Sequence, residues 1–289
     1  MFSTSEVGWA SGARNAERAL TNSFLANETW SKNPSQIIQY ASCHDNNTLY
    51  DRIAGSRTDL DEESWIKMSN LAASFYLTAE GVPFMQAGEE ILRTKVKEDG
   101  SFDSNSYSSG DEVNCIKWEN LDESKYQENF EFYKGLIAFR KEHSLLRLSS
   151  SDDVSARVKA VEGLDKNVLA FVMDNSDKAL FGESAEQIFL AFNPNEGEEN
   201  ITLPEGNWNV YVKGNKAGTE VIETVTGRVT LEPISSIVLV KEDAGKAGAN
   251  KTGKGKPGTK NKAAWPIFAA IAGVIAIAGA LLLKRKKKK

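Results

Sequence analysis

The hydrophobic period of this chain changes once, and that change limits its architecture more than any other feature. Up to about residue 148, short apolar runs alternate with helical patterns. Ile37–Ser42 (IIQYAS) reads as a buried strand that ends in a polar cluster. Glu62–Glu80 reads as a helix, because Trp65, Met68, Ala72, Phe75 and Ala79 recur at three- and four-residue steps. Asp61 is placed to cap its start and Gly81 to end it. Val82–Ala87 (VPFMQA) is a second short strand, followed by a long polar segment, Glu89–Lys117. Gln127–Glu142 is a further helix, with Phe132, Leu136 and Phe139 on one face and Phe130, Tyr133 and Ile137 beside it. Strand, helix, strand, helix is the grammar of a parallel α/β sheet or barrel.

From Ser149 onward only short β-rich runs appear: Val168–Met173, Gln187–Asn193, Trp208–Lys213, Glu220–Thr226, Arg228–Leu231 and Ser235–Val240. Asn193-Pro194-Asn195, Glu205-Gly206-Asn207 and Lys213-Gly214-Asn215 read as the turns between them. The expectation is an antiparallel β-sandwich over residues 149–243, after a barrel-like segment over residues 1–148. No internal repeat stands out.

Charge divides the chain again. The net charge of −5 combines an acidic body with a basic end: from Lys241 onward there are 13 basic and 2 acidic residues. An acidic body repels nucleic acid, so none is expected as a partner. Residues 244–262 are rich in Gly, Lys and Ala and read as a flexible linker. Ala263–Leu283 carries no charge over 21 residues, about 31 Å as a helix, which matches the hydrocarbon thickness of a bilayer. Trp265 stands near one end, and Lys284–Lys289 (KRKKKK) follows the other. Those charges resist translocation. The expected topology is a single-pass helix in the cell membrane, with a cytoplasmic basic tail at 284–289 and the folded part extracellular. No LPxTG sorting motif precedes this helix, so the helix itself is the expected anchor. The start, MFSTSEVGWA, has neither the basic region nor the apolar run of a signal peptide. Cys43 and Cys115 lack metal-ligand spacing and are expected to be unpaired, mostly buried thiols.

The chemistry concentrates in Tyr40-Ala41-Ser42-Cys43-His44-Asp45-Asn46-Asn47, at the carboxyl end of the first strand. Barrel enzymes place their reactive groups at such strand ends. A His-Asp pair there can grip adjacent sugar hydroxyls, the imidazole donating and the carboxylate accepting; alone, the pair is equally a structural feature. The surrounding text is more specific. CHDNNTLYDRI resembles the fourth short motif of the α-amylase superfamily, in the form typical of type I pullulanases. GVPFMQAGEEILRTK resembles that family's eighth barrel strand and following loop, and NSYSSGDEVNCIKW (Asn105–Trp118) is similar to its NSYxxxDxVNxIxW pattern.

The resemblance implies the C-terminal part of a (β/α)8 TIM barrel, then the family's β-domain. It makes His44 and Asp45 catalytic-site residues that bind the sugar at the cleavage point, with Asp45 the third carboxylate of the site. By the same resemblance Asn46, Asn105, Tyr107, Asp111 and Asn114 line the glucan cleft, where loop-stabilising hydrogen bonds are the competing reading. Glu89 and Glu90 are read as structural or rim residues, and Trp30 and Trp118 as core packing rather than sugar-stacking platforms. The implied activity is retaining hydrolysis of α-1,6-glucosidic linkages in pullulan and branched dextrins, with no cofactor and with calcium dependence left open. Retaining hydrolysis requires a nucleophile and a separate acid/base about 5 Å apart, and the family motifs that carry them do not occur here. The chain is therefore expected to be inactive alone. A non-catalytic surface glucan-binding protein and an α-amylase-type hydrolase are the alternatives.

Overall fold

Asp61 does cap a helix. Its Oδ1 accepts from the backbone N–H of Ser64 at 2.9 Å, and the helix runs Glu62–Thr78. In chain order the helices are α1 (Glu17–Phe24), α2 (Leu49–Ser56), α3 (Glu62–Thr78), α4 (Asp111–Asn114), α5 (Ser124–Glu142) and α6 (Ser151–Arg157). The strands are β1 (Ile38–Gln39), β2 (Val82–Pro83), β3 (Val158–Ala160), β4 (Leu169–Asp174), β5 (Ala185–Asn193), β6 (Glu199–Lys213), β7 (Lys216–Ala217), β8 (Glu223–Leu231) and β9 (Ser235–Glu242). This computed structural model describes residues 6–242, and they belong to one compact unit. The expected linker at 244–262, the expected span at 263–283 and the basic tail at 284–289 lie outside the described residues. Among the described residues no helix is long and apolar enough to cross a membrane.

β1 and β2 pair in parallel, Ile38 with Val82 and Gln39 with Pro83, joined by α2 and α3. Both strands are shorter than their apolar runs suggest, and among the described residues they form a two-stranded sheet with no closed barrel. The reason is visible in their faces. Gln39 points inward, where its Nε2 donates to the carbonyls of Ser23 and Glu80. Ile38, Tyr40, Val82 and Phe84 point outward and are exposed, with the Tyr40 and Phe84 rings edge to face at 6.0 Å. The expectation of fully buried strands is thus corrected: one face packs on the helices, and no neighbouring strand among the described residues covers the other. Parallel sheets normally bury both faces.

The second half is antiparallel throughout, in the order β3-β4-β5-β9-β6-β7, with β8 paired to β6. β4, β5 and β9 are apolar on both sides because both sides are covered. One face carries Phe171, Ile188, Phe192 and Val238, packed in a single cluster with Trp9, Phe24, Phe75 and Phe139 from the helical half. Phe24 stacks on Phe171 with ring centroids 3.8 Å apart. The other face carries Ala170, Phe189, Ala191 and Leu239, enclosed with Ile201, Trp208, Val229 and Leu231 of β6 and β8. The change of grammar near residue 149 therefore marks a change of element type within one continuous core.

Two readings change here. Glu205-Gly206-Asn207 is no turn between strands. The chain passes through it as β6, with the register against β8 shifting between Thr202 and Asn207 and Gly206 at φ 131°. Such a shift bends a strand without ending it. The β-rich runs at Glu220–Thr226 and Arg228–Leu231 likewise join in one strand, β8, which begins at Glu223. α6 was not foreseen; it begins at a Ser150 cap, whose Oγ accepts from the Asp153 N–H.

Candidate functional site

The segment after β1 turns outward at its carboxyl end and leads into α2. Thr48 caps that helix, its Oγ1 accepting from the Asp51 N–H at 3.1 Å. Between β1 and the cap, His44, Asp45 and Asn46 are exposed while Ser42, Asn47 and Thr48 are buried. His44 Nε2 lies 3.8 Å from Asp45 Oδ1, with the side chains 88% and 74% exposed. Asn46 adopts the left-handed conformation at φ 61°, which Asn tolerates better than most residues. Asp45, Asn46 and Ser104 border a hollow of about 280 Å3, which Tyr40, Ser42 and Asn47 also line.

Two buried networks hold this rim from below. In the first, Ser42 Oγ donates to Glu89 Oε1 at 2.6 Å, and Tyr76 OH donates to Glu89 Oε2 at 2.9 Å. Burial raises the Glu89 carboxyl above its ordinary value, against the lowering effect of these donors. Glu90 faces inward too, its Oε2 accepting from the Gly88 N–H. Both glutamates are buried and bonded within the protein, in keeping with a structural reading. In the second network, Lys95 is only 2% exposed, and its Nζ donates to the carbonyls of His44 at 2.8 Å and Asn46 at 2.9 Å. Asp51 is fully buried; it accepts from the Lys95 N–H at 2.7 Å and from Thr94 Oγ1 at 2.5 Å. Burial raises the Asp51 carboxyl and lowers the Lys95 ammonium from their ordinary values.

Of the remaining predicted cleft residues, Asn105, Tyr107 and Asp111 are exposed on the segment that continues from Ser104. Asn114 is committed to that segment's own shape, its Nδ2 donating to the carbonyls of Ser106 and Ser109 at 2.7 and 2.9 Å. None of these four borders the hollow beside Asp45. Trp30 and Trp118, expected in the core, are instead 66% and 51% exposed. The expectation of mostly buried thiols also fails, since Cys43 is half-buried and Cys115 exposed. Cys115 lies in the polar segment and Trp118 directly follows it. Sequence reasoning missed Lys95 and Asp51, which reads as an ordinary member of a polar helix start. A lysine in a polar loop normally reads as solvated, and only the loop carbonyls fifty residues upstream give it a reason to be buried.

The arrangement offers a hydroxyl-rich ligand one carboxylate and one imidazole, side by side and exposed. Asp45 is, among the described residues, the one carboxylate that borders that hollow. Among the described residues no group of three or more His, Cys, Asp or Glu is placed to hold a metal ion.

Comparison with known proteins agrees with the motifs. A family profile described as "Pullulanase, all-beta domain" matches residues 156–216. A pullulanase of Bacillus subtilis (strain 168) is 27% identical over 183 residues, covering 61% of this chain and 24% of the relative. A solved pullulanase from Bacillus acidopullulyticus superposes with a TM-score of 0.76 at 31% identity, over 83% of this chain and 28% of that one. A pullulanase from Anoxybacillus sp. LM18-11, solved as a complex with maltotriose, superposes at 0.73 with 26% identity, over 83% of this chain and 32% of that one. The chain thus spans about a quarter of the length of the curated relative and under a third of the solved ones. The family resemblance drawn from the motifs is borne out: this chain is pullulanase-like in sequence and fold, with a β-sheet domain.

Proposed function

We propose that this pullulanase-like chain supplies the sugar-gripping part of an α-1,6-glucan debranching site. The reaction itself depends on carboxylates that this chain does not carry. One observation carries the reading: His44 and Asp45 stand exposed, side by side, in the loop that follows a parallel strand, and Asp45 borders a small hollow. In this reading the Asp45 carboxylate accepts from one ring hydroxyl and the His44 imidazole donates to its neighbour. Held in place, Asp45 acts as the third carboxylate: it favours a distorted ring and stabilises positive charge that builds at the anomeric carbon. Its negative charge also disfavours ionisation of a nearby acid, which keeps a proton available for the leaving oxygen. The nucleophile and acid/base of a retaining, two-step cleavage come from elsewhere, so the described body binds without hydrolysing. Asn105, Tyr107 and Asp111 extend the contact along the glucan. The maltotriose complex of the Anoxybacillus relative supports an α-glucan as the ligand.

The test is release of reducing ends from pullulan by the full chain alone. The reading expects no turnover above buffer, and measurable turnover overturns its assignment of the missing carboxylates. We further propose, from the sequence alone, that residues 263–283 tether the protein to the cell membrane with the folded part outside. Release of the expressed protein from membranes by alkaline carbonate contradicts that placement.

A further inference from the structure

An ammonium group has three donors and no acceptor, and burying it is costly unless the donors are used. Lys95 is almost wholly buried, and it spends two donors on the carbonyls of His44 and Asn46. Those two carbonyls belong to the 44–45 and 46–47 peptide units, the two ends of the Asp45-Asn46 step. Pinning both ends limits the directions in which the Asp45 side chain can leave the loop, and it holds the 46–47 peptide that follows Asn46 at its positive φ of 61°. Lys95 is itself fixed. Asp51 accepts from its backbone N–H and from Thr94 Oγ1, while the Asp51 N–H is held by Thr48 at the start of α2. The path from Thr48 through Asp51 and Lys95 back to His44 and Asn46 is therefore a closed brace around the exposed pair.

We infer that Lys95 is a positioning residue for His44 and Asp45, with Asp51 as its support. The ammonium serves as a buried cross-strut, and the brace presents the pair to the ligand in one orientation, so that the glucan does not have to order the loop on binding. The functional consequence rests on the glucan-site reading above; the rigidity of the loop does not. The two are separated by measuring both on the full chain, with 15N order parameters for the backbone and with maltotriose titration followed at the His44 ring.

In the wild type, residues 44–47 should be as ordered as β5, with values of about 0.85. Lys95→Met keeps much of the stem and removes every donor. It should drop residues 44–47 below about 0.6, leave β5 and β9 unchanged and weaken maltotriose binding at least tenfold. Asp51→Asn, which keeps the lysine but weakens its support, should move both readouts the same way by a smaller factor. It also serves where the lysine variant fails to fold. A loop that stays rigid in Lys95→Met, or one already mobile in the wild type, overturns the proposal. So does a variant in which β5 and β9 loosen equally, because Lys95 would then be a general stabiliser. A loop that loosens in a wild type-derived variant while the wild type itself ignores maltotriose supports the brace and overturns the glucan reading.

Discussion

Glu80 and Glu183 are both buried carboxylates, and their surroundings push them in opposite directions. Glu80 is fully buried between α3 and β2; Oε2 accepts from the Leu148 N–H, and Oε1 has no partner among the described residues. Burial raises its carboxyl to about 8, overcoming the Leu148 N–H and the nearby Arg140 guanidinium. For Glu183, burial also acts upward, but hydrogen bonds from His143 and from the N–H groups of Ala185 and Leu145 outweigh it and hold the carboxyl at about 2. The signs of the two contributions follow from linkage. The folded state favours protonated Glu80, so its contribution is complete below the ordinary carboxylate value and is lost as pH rises towards 8. It favours ionised Glu183, whose contribution is complete above the ordinary value and is lost as pH falls towards 2. Denaturant melts across pH should therefore show stability declining on both sides of mildly acidic pH. Glu80→Gln should flatten the alkaline limb alone, raising stability at pH 8 by on the order of a few kcal/mol. An unchanged alkaline limb in that variant contradicts the neutral form of Glu80.

At the scale of elements, α5 packs closely against β7 at Gly135. A Cβ at Gly135 would lie 2.0 Å from the carbonyl oxygen of Ala217, which is backbone and has no flexible end to move aside. Gly135→Ala should destabilise the protein by about 1–3 kcal/mol, seen as a lower denaturant midpoint with an unchanged slope; a neutral result shows that α5 and β7 can separate freely. The sequence carried no hint of this contact, because a glycine inside a helical pattern reads only as a weak position. Other elements were legible for local reasons. α3 announced itself by its apolar spacing and by Asp61, both properties of neighbouring residues. β4, β5 and β9 announced themselves as apolar runs, because both of their faces are covered. β6 was cut short in the reading because Gly206 signals a turn and a bulge alike, and only pairing with β8 decides between them. At the candidate site, His44 and Asp45 were legible because the motif around them is specific. Lys95 was not, because its partners are loop carbonyls rather than residues of recognisable type.

The described residues join a βα unit to an antiparallel sheet through one continuous core, and among them none covers one face of the βα unit. Ile38, Tyr40, Val82 and Phe84 form that bare face, beside the rim that carries His44 and Asp45. The central claim is that this rim grips an α-glucan without cleaving it. The chain contains only two histidines, and the second, His143, is buried with its Nδ1 2.8 Å from Glu183 Oε1. It serves as an internal reference, so a maltotriose titration of the full chain followed by the two imidazole signals tests the claim most directly. The account predicts a saturable shift of the His44 signal, none at His143, and loss of the His44 response in Asp45→Ala. A His44 signal that stays fixed at saturating maltotriose, or that shifts equally in Asp45→Ala, contradicts it.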